Sequence, residues 1–256
     1  MKFNVELPKT PQKEANMAVS QQINSFALSP VGVEKLHSST YTLVTICVDV
    51  SGSMQGQERN VEKFLTLMSE TCKSVQDNVL IEVLAFNTDT KHIVQWNPLS
   101  KILEAPTLFE NTLVADGYTD IYRCLETAFT SIMRKGKELK QNEYSVNSLL
   151  VLVTDGGQTT GPGYCTHHQA EMLASEISQV ESAYSESYRG ILIEVGSEMK
   201  ELDKIANGCR FDQREQLANA DVTSMRRLAN FVSQSIRAQS AAVGTGGPSQ
   251  AIDFGI

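Results

Sequence analysis

Three short segments carry residue types and spacings suited to chemistry. Asp49-Val50-Ser51-Gly52-Ser53-Met54 is a D-x-S-x-S pattern that brings one carboxylate and two hydroxyls to one point, with Gly52 allowing the tight turn. Thr154-Asp155-Gly156-Gly157 supplies a second carboxylate, and Gly117-Tyr118-Thr119-Asp120 supplies a third hydroxyl. An all-oxygen donor set without His or Cys favours a hard cation, Mg²⁺ first and Mn²⁺ or Ca²⁺ next. Two carboxylates against a divalent ion leave the site near neutral, and neutral hydroxyls do little to hold the ion. Such a site keeps water or accepts an outside carboxylate as its last ligand. The expected activity is therefore recognition of a partner protein that presents Asp or Glu.

An enzyme fits these segments less well. No His lies within them, and no Lys or Cys accompanies Asp49, so a general base is missing. The enzymatic alternative is a Mg²⁺-dependent phosphohydrolase with Asp49 as nucleophile. In the haloacid-dehalogenase-like class the residue two positions on is an acid, whereas Ser51 stands there in this chain, and a hydroxyl is too poor an acid for that work. Cys165-Thr166-His167-His168 has no matching Cys or His motif elsewhere and reads as a solvated loop. Asp253-Phe254-Gly255 has no Gly-rich loop or H-R-D before it and reads as chance. Arg134-Lys135-Gly136-Lys137 reads as a basic helix end facing solvent.

Strands alternating with helices must position the three segments. Tyr41–Val48, Val79–Phe86, Ser148–Val153 and Gly190–Val195 are apolar runs with strand character, and Lys91–Trp96 reads as a short edge strand. Cys209–Phe211 is the candidate for a last strand. Spacings of three and four mark helical faces at Val61–Val75, Ile121–Met133, Leu173–Tyr184 and Met225–Ile236, with a short helix at Met199–Ala206. This alternation predicts an α/β fold: a doubly wound, mostly parallel central sheet, Rossmann-like, with helices on both faces. Ligands of such sheets bind beyond the carboxyl ends of the strands, where Asp49 and Asp155 stand. The loop Gly156–Tyr164 and Tyr118 border that edge, so Tyr118, Gln158, Thr159, Thr160 and Tyr164 are the expected partner contacts. Asp120 reads as the cap of the second long helix. As a surface-site residue, Asp49 should tolerate alanine with the fold largely intact and Mg²⁺ binding lost.

Residues 1–40 carry Pro8, Pro11 and Pro30 and form an expected N-terminal arm; residues 41–238 form the domain. Residues 239–256 form an expected flexible tail, with linker chemistry at Gly244-Thr245-Gly246-Gly247-Pro248. A structural or assembly subunit that docks through arm and tail is the other non-enzymatic reading.

The five oxygen-bearing residues resemble the metal-ion-dependent adhesion site of von Willebrand factor A domains. Asp49, Ser51, Ser53, Thr119 and Asp155 match that motif in order, over about Tyr41–Arg237. The resemblance implies a non-enzymatic protein-binding module that holds Mg²⁺ on these residues and meets an acidic partner residue at the open metal position. Family members often have Gly-Gly-Thr where this chain has Gly117-Tyr118-Thr119, so Tyr118 narrows the site or touches the partner. The stretch Leu228–Ile236 and the short polar format are similar to bacterial TerY-type proteins. Those are cytosolic single-domain members linked to tellurite and stress resistance.

Composition sets outer limits. With 22 basic and 30 acidic side chains the net charge is −8, which argues against nucleic acid as the main partner. The longest wholly apolar run, Leu149–Val153, is far below the ~20 residues of a membrane span, and Met1–Ser20 shows no signal-peptide pattern. The cysteines are 5 in number, widely spaced and without C-x-x-C, which suits free thiols in a reducing cytoplasm.

Overall fold

The structure, a computed structural model, describes residues 40–161, 163, 167–179, 182–196 and 200–245. The expected arm up to residue 39, the tail from 246, and Tyr164, Cys165, Val180 and Met199 lie outside the described residues. Six strands form one sheet: β1 Thr40–Asp49, β2 Val79–Phe86, β3 Thr90–Pro98, β4 Ser145–Thr154, β5 Ser187–Val195 and β6 Gln213–Leu217. Their order is β3-β2-β1-β4-β5-β6. All neighbours are parallel except β2 and β3, which a short turn joins into an antiparallel edge.

The helices are α1 Glu58–Thr71, α2 Leu99–Leu103, α3 Ile121–Gln141, α4 His167–Ile177, α5 Lys200–Gly208 and α6 Val222–Thr245. Side chains alternate across a strand, and β1 shows the result. Val44, Ile46 and Val48 pack with Phe64, Leu65 and Met68 of α1 and Met225, Leu228 and Val232 of α6. Leu43 and Cys47 face the other way, toward Leu125, Phe129 and Ile132 of α3, Ala174 of α4 and Ile205 of α5. The fold is thus the expected doubly wound α/β sheet. The chain leaves β1 to one side for β2 and later returns on its other side as β4, so the order reverses at β1. Asp49 and Thr154 end the two strands that flank this point.

Several element boundaries differ from the sequence reading. The last strand lies at Gln213–Leu217 rather than Cys209–Phe211, where the Cys209 and Phe211 side chains are buried in the core on the α3 face. The Gln-Arg-Glu-Gln-Leu strand is a polar edge and carries no apolar signal. Helix α4 starts at His167 and ends at Ile177, burying the small face Ala170, Ala174 and Ile177, so Tyr184 falls in the loop beyond it. Helix α3 runs straight through Arg134–Lys137 to Gln141. Lys135 is buried and pairs with Glu138 at 3.1 Å, and Gly136 admits a crossing chain: a Cβ there would lie 1.9 Å from the Tyr184 carbonyl oxygen. Helix α6 continues past 238 to Thr245, because the Ser240 hydroxyl meets Thr42 Oγ1 at 3.1 Å and the Gln239 carbonyl accepts from Asn147 Nδ2 at 3.3 Å. Cys47, Cys72, Cys124 and Cys209 are free and buried.

A buried acid stands in the middle of the apolar strand β2. Glu82, mid-way along β2, is 1% exposed. Its Oε1 accepts from the Ser131 hydroxyl at 2.7 Å and lies 3.3 Å from His92 Nδ1, while its Oε2 accepts from Thr45 Oγ1 at 3.3 Å. Trp96 Nε1 donates to Ser131 Oγ at 2.9 Å. The β2–β3 register slips on both sides of Val83, and the adjacent Ile93 and Val94 both belong to the core of the α1 face. These bulges re-aim the strand, so that His92 and Trp96 both reach the Glu82 cluster on the opposite face.

Candidate functional site

The first two ligand segments meet at the carboxyl end of the sheet. Asp49 closes β1 with its side chain fully buried. Its Oδ1 accepts from the Ser51 backbone N–H at 2.7 Å, and its Oδ2 accepts from the Thr154 hydroxyl at 2.5 Å. The hydroxyls of Ser51 and Ser53 lie 3.1 Å apart, and Ser53 Oγ donates to Asp155 Oδ1 at 2.7 Å. A continuous chain of oxygen atoms therefore runs from the end of β1 to the end of β4.

Thr119 enters from a third loop. A Cβ added at Gly156 would lie 3.7 Å from Thr119 Oγ1 and 3.9 Å from Ser53 Oγ. Both hydroxyls thus line the space that glycine leaves open at this position. The loops are fastened to one another by backbone bonds: Val50 N–H to Phe86 O at 2.8 Å, Asp116 N–H to Val50 O at 2.9 Å and Gly52 N–H to Gly117 O at 3.0 Å. The turn after β2 adds Asp120 N–H to Asn87 O at 2.9 Å and Tyr118 N–H to Thr88 Oγ1 at 3.0 Å. Gly117 has φ of +75°, and a Cβ there would sit 2.8 Å from the Thr88 hydroxyl. Glycine is required at that point.

The electrostatics follow from this packing. Burial raises the Asp49 carboxyl to about 6; the hydrogen bonds from Thr154 and Ser51 hold it back, and the charge of Asp155 pushes it further up. Burial also raises Asp155, against the bond from Ser53. Two carboxylates face one oxygen-lined opening, and among the described residues the charge that acts on Asp49 is that of Asp155. Such an arrangement leaves negative charge uncompensated in a poorly solvated place. Its donor set, two carboxylates and three hydroxyls, suits a hard divalent cation.

The expected partner contacts separate into two groups. Tyr118 is 65% exposed beside Thr119, and Thr160 is exposed. Gln158 and Thr159 are instead engaged inside the protein. Gln158 Nε2 donates to Asp120 Oδ1 at 3.0 Å and its Oε1 accepts from Tyr122 N–H at 3.1 Å, while Thr159 Oγ1 accepts from Thr119 N–H at 3.2 Å. Tyr164 lies outside the described residues. Asp120 caps α3 as expected, accepting from Arg123 N–H at 3.3 Å.

Sequence reasoning passed over Thr154, the fully buried hydroxyl that holds Asp49. Its only signal is that a threonine closing an apolar strand must find a partner for its hydroxyl. The expectation that Asp49 tolerates alanine is corrected by its burial. Truncation would strip the Ser51 N–H and Thr154 hydroxyl of their acceptor, which costs about 1–3 kcal/mol per orphaned group. Cavities of ≈ 710 Å³ and ≈ 390 Å³ lie elsewhere, the first between α1 and the start of α6 and the second between β3 and α3.

The sequence profile of the von Willebrand factor type A domain matches residues 44–233. Among solved structures, the PilB minor pilin from Streptococcus sanguinis aligns with a TM-score of 0.57 at 12% identity, covering 83% of this chain and 64% of the pilin. A von Willebrand factor type A protein from Catenulispora acidiphila gives 0.56 at 16% identity, with 78% and 43% covered. The conserved hypothetical protein BatB from Bacteroides thetaiotaomicron gives 0.51 at 14% identity, with 75% and 98% covered. At these identities the shared property is the fold, and this chain spans less than two thirds of the first two proteins. A comparison with curated proteins gives no match.

Proposed function

Because the chain belongs to the von Willebrand factor type A domain family, we propose that it is a Mg²⁺-dependent protein-recognition module that binds an acidic residue of its partner. The family is commonly a non-enzymatic interaction fold. The observation that carries the finer reading is the opening at Gly156, lined by Thr119 and Ser53 and continuous with Asp155, Ser51 and Asp49. Asp49, Ser51, Ser53, Thr119 and Asp155 would hold the ion, with Mn²⁺ or Ca²⁺ as alternatives. When bound, the ion supplies a positive centre for a partner Asp or Glu.

The chain's own part is to fix that centre and frame it. Thr154 and the Ser51 N–H hold the two Asp49 oxygens, so the carboxylate is oriented before any ligand arrives. Tyr118 and Thr160 stand outward beside the opening and would meet the partner around its carboxylate. The wide spacing of the cysteines, without C-x-x-C, is the ground for proposing action in a reducing cytoplasm. The likeness to TerY-type proteins supports a role in bacterial stress resistance or signalling.

Calorimetric titration of the metal-free protein with MgCl₂ tests the reading directly. Wild type should bind one equivalent, and Asp49→Asn, which keeps the size of the side chain, should not. The same two proteins, with and without EDTA, should then differ in the proteins they retain from native extract. Absence of Mg²⁺ binding by wild type would overturn the metal reading. Retention unchanged by EDTA and by Asp49→Asn would direct attention to residues 1–39 and 246–256 as docking segments. Turnover of a chromogenic phosphate ester that is abolished by Asp49→Asn would favour the phosphohydrolase instead.

A further inference from the structure

Gln158 lies three residues beyond Asp155, in the polar loop where an exposed contact role is the simplest expectation. A glutamine amide carries one acceptor oxygen and a two-proton donor, and the fold engages both. The start of α3 needs acceptors for its first-turn N–H groups. Asp120, whose carboxylate is fully buried, accepts from Arg123 N–H at 3.3 Å and Arg123 Nε at 3.0 Å. Gln158 Oε1 accepts from the neighbouring Tyr122 N–H at 3.1 Å, and its Nε2 donates to Asp120 Oδ1 at 3.0 Å and to Thr159 O at 2.9 Å. Thr159 and Thr119 then bond twice, Thr119 N–H to Thr159 Oγ1 at 3.2 Å and Thr159 N–H to Thr119 O at 2.8 Å. Arg123 Nη2 reaches Gly163 O at 3.0 Å and ties down the far part of the loop.

We infer that Gln158 is a positioning residue: it latches the loop that follows Asp155 onto the segment that carries Thr119, so that the two move as one unit. The inference rests on the metal reading above for its functional meaning. Its geometry stands apart from that reading. Asp49, Ser51 and Ser53 come from one continuous turn, whereas Thr119 and Asp155 come from separate loops and need something to fix their distance. The latch supplies it. Gln158 touches neither the ion nor a partner in this account; it acts through Thr119.

The test uses the full chain, with Gln158→Leu removing the amide and Gln158→Glu turning its donor into an acceptor that faces Asp120. Loss of a residue bonded directly to a metal ligand typically weakens metal affinity by about 10–100-fold; Gln158 stands one step further back and acts on a neutral hydroxyl, so a loss at the low end, about 10-fold, is expected for Mg²⁺ with both variants. In a Thr119→Ala background the same changes should weaken Mg²⁺ binding by no more than about threefold, since a residue acting through Thr119 has nothing left to act on. A purely structural residue would give the same loss in both backgrounds. Amide hydrogen exchange of the metal-free proteins should show faster exchange at Thr119, Tyr122 and Thr159 in both Gln158 variants. Mg²⁺ affinity unchanged in both variants, or equal losses in both backgrounds, would overturn the coupling. Failure of wild type to bind Mg²⁺ would defeat the metal reading alone; unchanged exchange at these three amides would then still overturn the latch.

Discussion

Asp49 and Glu82 are two buried carboxylates on adjacent parallel strands, and their surroundings differ in a way that separates a site from a scaffold. Glu82 sits in the middle of β2, enclosed by Ser131, Thr45 and His92 from three other elements. Asp49 sits at the end of β1, held by Thr154 and the Ser51 N–H, and it senses the charge of a second carboxylate, Asp155. Glu82 is enclosed by two hydroxyl donors and the His92 ring, all from within the fold. Asp49 faces an opening whose remaining groups are oxygens. Burial of an acid is common to both; the identity of what faces it decides whether something from outside is required.

The sharpest way to break that contrast is to remove each charge while keeping each shape. Asp49→Asn should lower Mg²⁺ affinity by at least about 100-fold, the low end of which is near 2.7 kcal/mol, while Glu82→Gln should leave it within about twofold. Calorimetry reads both, and a comparable loss from Glu82→Gln would erase the distinction. Next in size is the effect of the ion on folding. At about 100 times its dissociation constant, Mg²⁺ should add ~2.7 kcal/mol to wild-type stability in urea. Glu82→Gln should retain that increment and Asp49→Asn should lack it.

A smaller effect separates the two acids without metal. Glu82→Gln turns one acceptor oxygen into a donor facing Ser131, Thr45 or His92, which should cost about 1 kcal/mol in urea unfolding. Asp49→Asn relieves the repulsion with Asp155 and should cost less. The smallest effect is spectroscopic. The chain has 1 tryptophan, and Trp96 bonds to Ser131 beside Glu82. Its emission should shift in Glu82→Gln and stay constant through a Mg²⁺ titration of wild type. A Mg²⁺-dependent shift would show that the two regions communicate.

The sheet was legible wherever burial on both faces imposed an apolar run, as in Val79–Phe86 and the core of β4. It was illegible where the strand is an edge: β6 is Gln-Arg-Glu-Gln-Leu, and nothing in its pattern competes with the nearby apolar Cys209–Phe211. The length of α3 was hidden because Gly136 looks like a helix end, while its actual reason is the chain crossing at Tyr184. The end of α6 was hidden because its contacts at Gln239 and Ser240 are polar. The Asp49 and Asp155 segments were readable because they follow strands directly. Gln158 and Thr154 were not, since their partners come from distant segments that a linear reading cannot bring together.

The two outermost strands have a further consequence for how this protein meets others. An open sheet invites a foreign strand to pair with its free backbone groups. At one edge, β3 is distorted by register slips on both sides of Val83. At the other, β6 is only 5 residues long and ties Arg214 to Glu194 and Asp203. A bent edge and a short, charged edge are both poor templates for strand addition. The sheet is thereby guarded at both edges against runaway stacking into fibres.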